Sequence, residues 1–548
     1  MSFLYRYIWK GPVIYILFGI YILVTPFLLQ VGINLRDEAW YLLILENSTP
    51  TIHWAWWHEI FAFLRNENLW TIRMVTFALV TLSTFIFGYH VYYFINKDNI
   101  RDRIKMGLLI SMSTFLLTNL VCIVPYYITS SLIFVSLTLA VFLRMNLLSA
   151  QLNTLQYAYC IFLMGFFITL EPFLNPSNII YSMTFLLILV WMFKTNWIRY
   201  AYLFAGAVAC LVFMNLLIPY TSFINEFKLT LMAVKFHDHG MNTTIDWLLS
   251  IPHHYFWDKK SPFIMGIGLL FLTKLSLHIE ESNKKIFFWM FSICVLFSFT
   301  LLVKYQYYTL YGILPCSIFY ILLLILLTQL IRSGKIIVFF SDTANRIAIL
   351  LFIMPFLLSI GTDVPFEYRI SSYFILFLSG TILLVKKSDF ILSKGVTYRY
   401  LDIFSLLLIL NFGIGFYKTN WCGFSFFNSR VSLNTSKGRI FVEPRIYQNY
   451  QNFKEIVKNT NEPLLLSHQE LLGYVYLSGI KLSYLDFRFN LNLLKLSKVD
   501  IGKSSFLELI ERPFPNEFWI FTVKEKHNLL NYNSGYFTLF TPQKFSHL

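Results

Sequence analysis

Two adjacent carboxylates, Asp37 and Glu38, stand in the stretch Asn34-Leu35-Arg36-Asp37-Glu38-Ala39-Trp40-Tyr41, directly after the first long apolar run. A carboxylate where a membrane span emerges into water loses part of its hydration, which raises its proton affinity and makes it a better base. Such a base can take the proton of an acceptor hydroxyl as that oxygen attacks a sugar carbon. The structural alternative is a loop-starting Asp that caps a short helix, with Glu38 in its first turn. The two roles are compatible.

Other residues could serve the same chemistry. His58 and Glu59 lie in the aromatic run His53-Trp54-Ala55-Trp56-Trp57-His58-Glu59-Ile60, whose Trp spacing suggests a helix lying in the interface plane. They could orient an acceptor or the Asp37 side chain, or simply form the wet face of that helix. Arg65 and Arg73 suit bidentate phosphate recognition, or anchor a span boundary by snorkelling. Glu171-Pro172, with Asn175 and Pro176 just beyond, suggests either a cavity lining or a helix end reaching water. Lys304 and Tyr308, within Lys304-Tyr305-Gln306-Tyr307-Tyr308, could hold a lipid-linked phosphate through one ammonium and several phenols; the alternative is an aromatic-belt anchor. His237-Asp238-His239 with Asp246, His253 and His254 has the residue types of a divalent-metal site but no diagnostic spacing. Glu367 and Arg369 read equally well as a local ion pair or as acceptor contacts.

The elements that must carry these groups are membrane helices. The chain has 548 residues, 57% hydrophobic and only 13% charged, with a mean hydropathy of +0.60; soluble domains carry roughly 25% charged residues. Repeated apolar runs of about 20 residues favour helices over a barrel. Candidate spans fall near 12–31, 74–96, 106–126, 130–148, 155–170, 177–193, 200–219, 262–278, 286–303, 308–331, 347–361, 371–385 and 401–417, which makes about thirteen. The N-terminal run reads as a retained signal-anchor. With the N-terminus inside, the groups Lys97/Arg101/Arg103/Lys105, Arg144, Lys194/Arg199, Lys284/Lys285, Arg332/Lys335/Arg346 and Lys386/Lys387/Lys394/Arg399 all face the cytoplasm, as the positive-inside rule expects. Three polar segments then lie outside: 32–73, 220–261 and a tail from about 418.

The tail changes character. Short β-rich runs, Gly438–Val442 and Glu517–Lys524, surround helix-like stretches such as Tyr447–Lys458 and predict a small exterior α/β domain over 418–548. The membrane region is 1–417. The net charge of +15 is dispersed over short loops rather than gathered in a basic and aromatic stripe, which argues against nucleic acid. Five of the six cysteines lie in or beside apolar runs, with only Cys422 outside, which leaves no disulfide framework or metal-ligand spacing.

The layout resembles the GT-C glycosyltransferases, in the branch that holds protein O-mannosyltransferases and the lipid A aminoarabinose transferase. The resemblance rests on Asp37-Glu38-Ala39-Trp40-Tyr41 in the first outer loop, the His58…Arg73 stretch leading into the second span, the Lys304…Tyr308…Pro315 boundary, and a many-span region followed by an exterior domain. It implies a polytopic α-helical membrane enzyme with Asp37 catalytic and Glu38 beside it. Lys304, Tyr308, Arg65 and Arg73 would serve the donor phosphate, and His58, Glu59 and Glu171 the acceptor or the cavity wall. The family often has Lys-Pro near the end of a middle span where this chain has Glu171-Pro172. The implied donor is a sugar on a polyprenyl phosphate; the acceptor is a lipid, glycan or protein hydroxyl. The resemblance points to no certain cofactor, and a divalent metal is possible. The implied location is a multi-pass protein of a bacterial inner membrane with its C-terminus outside, embedded among membrane lipids. The competing readings are a flippase or transporter for lipid-linked glycans, and a polysaccharide polymerase or ligase.

Overall fold

The computed structural model describes residues 12–35, 37–46, 56–96, 98–117, 123–148, 154–193, 196–218, 224, 342–358, 372–387, 429–457, 464–466, 472–480, 482, 505–510, 521–528 and 536–542. The spans expected at 262–331 and 401–417, the loop 220–261 (residue 224 apart) with its His-Asp cluster, Lys304, Tyr308, Glu367, Arg369 and the 417/418 boundary lie outside these residues.

Helix dominates. In chain order the helices are α1 (Val13–Leu28), α2 (Asp37–Glu46), α3 (Trp57–Ile60), α4 (Leu69–Ile95), α5 (Ile100–Leu117), α6 (Tyr127–Leu148), α7 (Thr154–Leu174), α8 (Ile179–Phe193), α9 (Trp197–Leu217), α10 (Thr343–Leu357) and α11 (Phe374–Lys387). Single 3-10 turns at Ala62–Leu64 and Pro176–Asn178 lead toward α4 and α8. Leu69–Ile95, Tyr127–Asn146, Leu155–Leu174 and Trp197–Leu217 are long and apolar enough to cross a membrane; Val13–Leu28, Pro176–Met192 and Thr343–Leu357 are apolar but shorter.

Local chemistry sets the helix ends. Asn68 accepts a hydrogen bond from the Thr71 N–H at 2.8 Å, and Asp342 accepts from Ala344 at 2.8 Å; each satisfies a donor that the first helical turn leaves open. Inside the bundle, hydroxyls fold back on their own helices, as in Thr76 to the Ile72 carbonyl at 2.8 Å and Ser113 to Leu109 at 2.6 Å. An apolar interior offers them no water.

Pro172 shows how tertiary contacts extend a helix beyond its local signals. The sequence allowed α7 to stop there, yet the helix runs on to Leu174. A proline lacks the N–H that would bond the carbonyl four residues earlier, here that of Ile168. Ser182 of α8 takes that carbonyl instead, its Oγ donating at 2.8 Å.

Glycines let α7 and α9 touch backbone to backbone. A Cβ on Gly206 would stand 1.9 Å from the Phe162 carbonyl oxygen, and one on Gly165 would stand 2.1 Å from that of Leu203. Where hydrocarbon surrounds both helices, such close approach supplies packing that hydrophobicity alone does not. Gly206→Val should therefore force the pair apart and destabilise the bundle by about 1–3 kcal/mol or more, read as a lower midpoint of thermal unfolding in detergent. Val at half-buried Gly19, with nothing within 4 Å of its Cβ position, is the control.

The two ends of the bundle differ. At one end the Arg103 guanidinium lies 4.6 Å from the Tyr93 ring centre, Arg199 lies 5.0 Å from Tyr157, and Arg346 lies 5.7 Å from Trp191. The other end gathers the described residues between α1 and α4, namely 29–35, 37–46 and 56–68, and the α7–α8 corner. Against the latter end also packs the hairpin of β1 (Val431–Thr435) and β2 (Gly438–Val442), which is antiparallel. Further on come α12 (Pro444–Val457), β3 (Leu464–Leu466), α13 (Leu472–Ser478), β4 (Ser505–Ile510), β5 (Phe521–Asn528) and β6 (Tyr536–Pro542). β3, β4, β6 and β5 form a mixed sheet in that order.

Candidate active site

The site is built around the start of α2. Asn34 is buried, and its Oδ1 accepts the Asp37 N–H at 2.9 Å. In return the Asn34 N–H donates to Glu38 Oε2 at 3.0 Å. This reciprocal arrangement satisfies donors at the helix start from both directions, in the manner of a capping box. The cap is thus Asn34 rather than Asp37, which stands as the first helical residue, where the positive end of the helix favours a carboxylate.

Glu38 turns inward to Arg73 of α4. The guanidinium Nε donates to Oε1 at 2.8 Å and Nη2 to Oε2 at 2.7 Å, and both side chains are buried. Nη1 reaches the carbonyls of Leu29 at 2.7 Å and Val31 at 3.4 Å; Nη2 also reaches that of Gly32 at 2.9 Å. All five guanidinium N–H groups are thereby spent inside the protein. Arg73 consequently ties the chain leaving α1 to the start of α2, and that geometry leaves it no donor for a phosphate.

Asp37 and Glu38 are neighbours in sequence but face different ways. Asp37 is half-buried and shares a helix face with Tyr41, one turn on. The Tyr41 ring lies 4.6 Å from Tyr126, 5.8 Å from Tyr127 and 6.1 Å from Trp57. Tyr41, Tyr126 and Trp57 are buried, so these rings pack the start of α2 in place and fix the direction in which Asp37 leaves the helix.

The other end of α2 is held by a second charged chain. The Arg65 Nε donates to the Leu45 carbonyl at 3.0 Å and its Nη2 lies 2.7 Å from Glu59. Glu59 in turn lies 3.3 Å from His58 Nε2. His58 is buried against Trp57, with ring centres 5.9 Å apart. The face of α3 that carries His58 is thus dry, which corrects the wet-face alternative. The His58 hydrogen bond, followed by Arg65, overcomes partial burial and holds the Glu59 carboxyl down at about 2 from an ordinary 4.5.

A folded-state value below the unfolded one means this stabilisation is complete above about pH 4.5 and lost as pH falls toward 2. Allowing for solvent screening, Glu59→Gln should remove about 1–2 kcal/mol at neutral pH. Thermal midpoints of wild type and variant should converge in that acid window.

Glu171 sits wholly inside the bundle rather than reaching water at a helix end. Its Oε2 accepts from Asn178 Nδ2 at 2.7 Å, and the same amide group reaches the Ser131 hydroxyl at 2.8 Å. The α7 end that bears it meets the first loop directly, since the Trp56 N–H donates to the Phe173 carbonyl at 2.7 Å.

The structure therefore gathers Asp37, Glu38, His58, Glu59, Arg65, Arg73 and the Glu171 corner at one end of the bundle. The sequence reading missed Asn34, Ser131, Asn178 and Lys437. Only Asn34 had a local signal, its place three residues before an acidic helix start. Among the described residues no group of three or more His, Cys, Asp or Glu could hold a metal ion.

Fold and composition define a class, a helical protein with helices of membrane-crossing length. No protein-family model, curated protein or solved structure matches the chain.

Proposed function

We propose that the protein is a membrane glycosyltransferase that moves a sugar from a polyprenyl-phosphate carrier to an acceptor hydroxyl on the outer face of the membrane. The observation that carries this is the start of α2. Asp37 stands half-buried at a capped helix N-terminus, on a helix whose Tyr41 packs against Tyr126 and Tyr127 and on a loop fixed by the Glu38–Arg73 pair. Asp37 takes the acceptor proton while the acceptor oxygen bonds the anomeric carbon. The bond from that carbon to the phosphate oxygen breaks, polyprenyl phosphate departs, and the anomeric centre inverts. Arg65, with a quarter of its side chain exposed, remains a donor for the leaving phosphate, together with Lys304 and Tyr308. Arg73 acts through the loop, and Glu38 with it.

A panel of polyprenyl-phosphate sugars offered to the purified protein with membrane-lipid and glycan acceptors tests the proposal. One donor should release polyprenyl phosphate in step with glycosylated product. No release from any donor would overturn the assignment.

A second reading, a flippase for lipid-linked glycans, draws on the fully buried Glu171 within the bundle, because ionisable groups inside spans often mark transport paths. It predicts movement of intact donor across proteoliposomes without release of carrier phosphate.

A further inference from the structure

The residues after 430 grip the acidic loop from three sides. Phe441 of β2 adds to the chain between α1 and α2 as a short parallel bridge to Val31, with its N–H donating to the Gln30 carbonyl at 2.9 Å and its carbonyl accepting the Gly32 N–H at 2.7 Å. Between β1 and β2, the Lys437 carbonyl accepts the Leu69 N–H at the start of α4 at 3.0 Å. The Lys437 ammonium pairs with Glu46, the last residue of α2. A negative charge at a helix C-terminus is unfavourable unless a cation answers it. On the third side the Gly473 N–H of α13 donates to the Leu35 carbonyl at 2.8 Å, with backbones so close that a Cβ on Gly473 would stand 2.6 Å from Leu35 Cα.

We infer that the β1–β2 hairpin and α13 form a clamp that positions α2, and with it the Asp37 carboxylate, by holding both ends of that helix and the start of α4. The inference rests on the function proposed above for Asp37. Tyr476 of α13 completes the contact: its ring lies 5.3 Å from the Lys437 ammonium. Burial, and after it the charges of Glu46 and Glu38, push its phenol well above the usual range, against the opposing pull of Arg73. The clamp acts on Asp37 through α2, so its residues are positioning residues. The clamp also fixes a topological parity, because the start of α2 and the β1–β2 hairpin lie at one end of the bundle. An even number of membrane crossings must separate them.

Hydrogen exchange and kinetics on the full-length protein test the clamp together. Gly473→Ala improves the intrinsic helix propensity of α13 while blocking its approach to Leu35. Lys437→Glu and Glu46→Lys break the ion pair, and the double exchange restores it in reverse. Each single variant should speed exchange of the Gly32 and Leu69 amides by about tenfold or more. Each should also lower kcat by about 10–100-fold, the effect of a small misplacement, with the KM for donor within about twofold. The Glu46→Lys/Lys437→Glu double variant should recover both. Unchanged amide exchange in all three single variants overturns the clamp. Faster exchange with unchanged kcat, or a double variant no better than the singles, overturns its positioning role. Should the unaltered protein show no transfer with any donor, the glycosyltransferase assignment falls while the exchange data still decide the clamp.

Discussion

Replacing Asp37 by Asn should lower kcat for sugar transfer by roughly 10²–10⁴-fold, the usual contribution of a positioned general base, and leave the KM for donor nearly unchanged. The substitution keeps the shape of the side chain and removes only its basicity. It should also leave the fold intact, because the cap of α2 comes from Asn34 and the loop is tied by Glu38 and Arg73. Initial rates over a range of donor concentrations, with a thermal melt alongside, separate the effects. A kcat within a few-fold of wild type would remove Asp37 from the chemistry. Glu38 offers the contrast: Glu38→Gln should lower stability as well as rate, since it uncouples Arg73.

Arg73→Met should be the most damaging single change to stability, about 3–5 kcal/mol, the cost of leaving one partner of a buried ion pair uncompensated. It strands the Glu38 carboxylate together with the carbonyls of Leu29, Val31 and Gly32. Arg73→Lys should recover only part of this, because an ammonium has three donors and lacks the planar fork that meets carboxylate and carbonyls together. The double variant Glu38→Leu/Arg73→Met should be more stable than Arg73→Met alone, since it removes the orphaned charge. Thermal unfolding of the three variants in one detergent checks the order. An Arg73→Met protein as stable as wild type would mean that the pair does not hold the loop.

Much of the bundle was legible in the sequence because hydropathy and helix length carry it. The expected spans 12–31, 130–148, 177–193 and 200–219 overlap α1, α6, α8 and α9 closely. Hydropathy failed where charge enters a helix. The expected span 106–126 meets a helix that already begins at Ile100, since Asn99 caps it by accepting the Asp102 N–H at 3.1 Å, and Arg103 is absorbed by the rings of Tyr89 and Tyr93; residues 118–122 lie outside the described residues. In the tail, the strand at Gly438–Val442 is where its β-rich run placed it, whereas the one expected at 517–524 runs from Phe521 to Asn528. The acidic pair was visible as a pair, but its division of labour was not. Successive helical residues point about 100° apart, so Glu38 meets Arg73 across 35 positions of sequence while Asp37 faces elsewhere. The Lys437–Glu46 contact spans 391 positions, a distance over which a single sequence carries no pairing information.

The chemistry proposed for Asp37 depends on the side of the membrane its loop faces, because a lipid carrier that has been flipped presents its sugar only on the outer side. Glu67 is exposed in that loop, and a cysteine placed there can be probed in intact cells with a membrane-impermeant maleimide. Labelling of Glu67→Cys above the level of the unaltered chain, before any permeabilisation, is the expected result. Labelling that arises only after the membrane is opened would place Asp37 in the cytoplasm, away from its donor, and contradict the assignment.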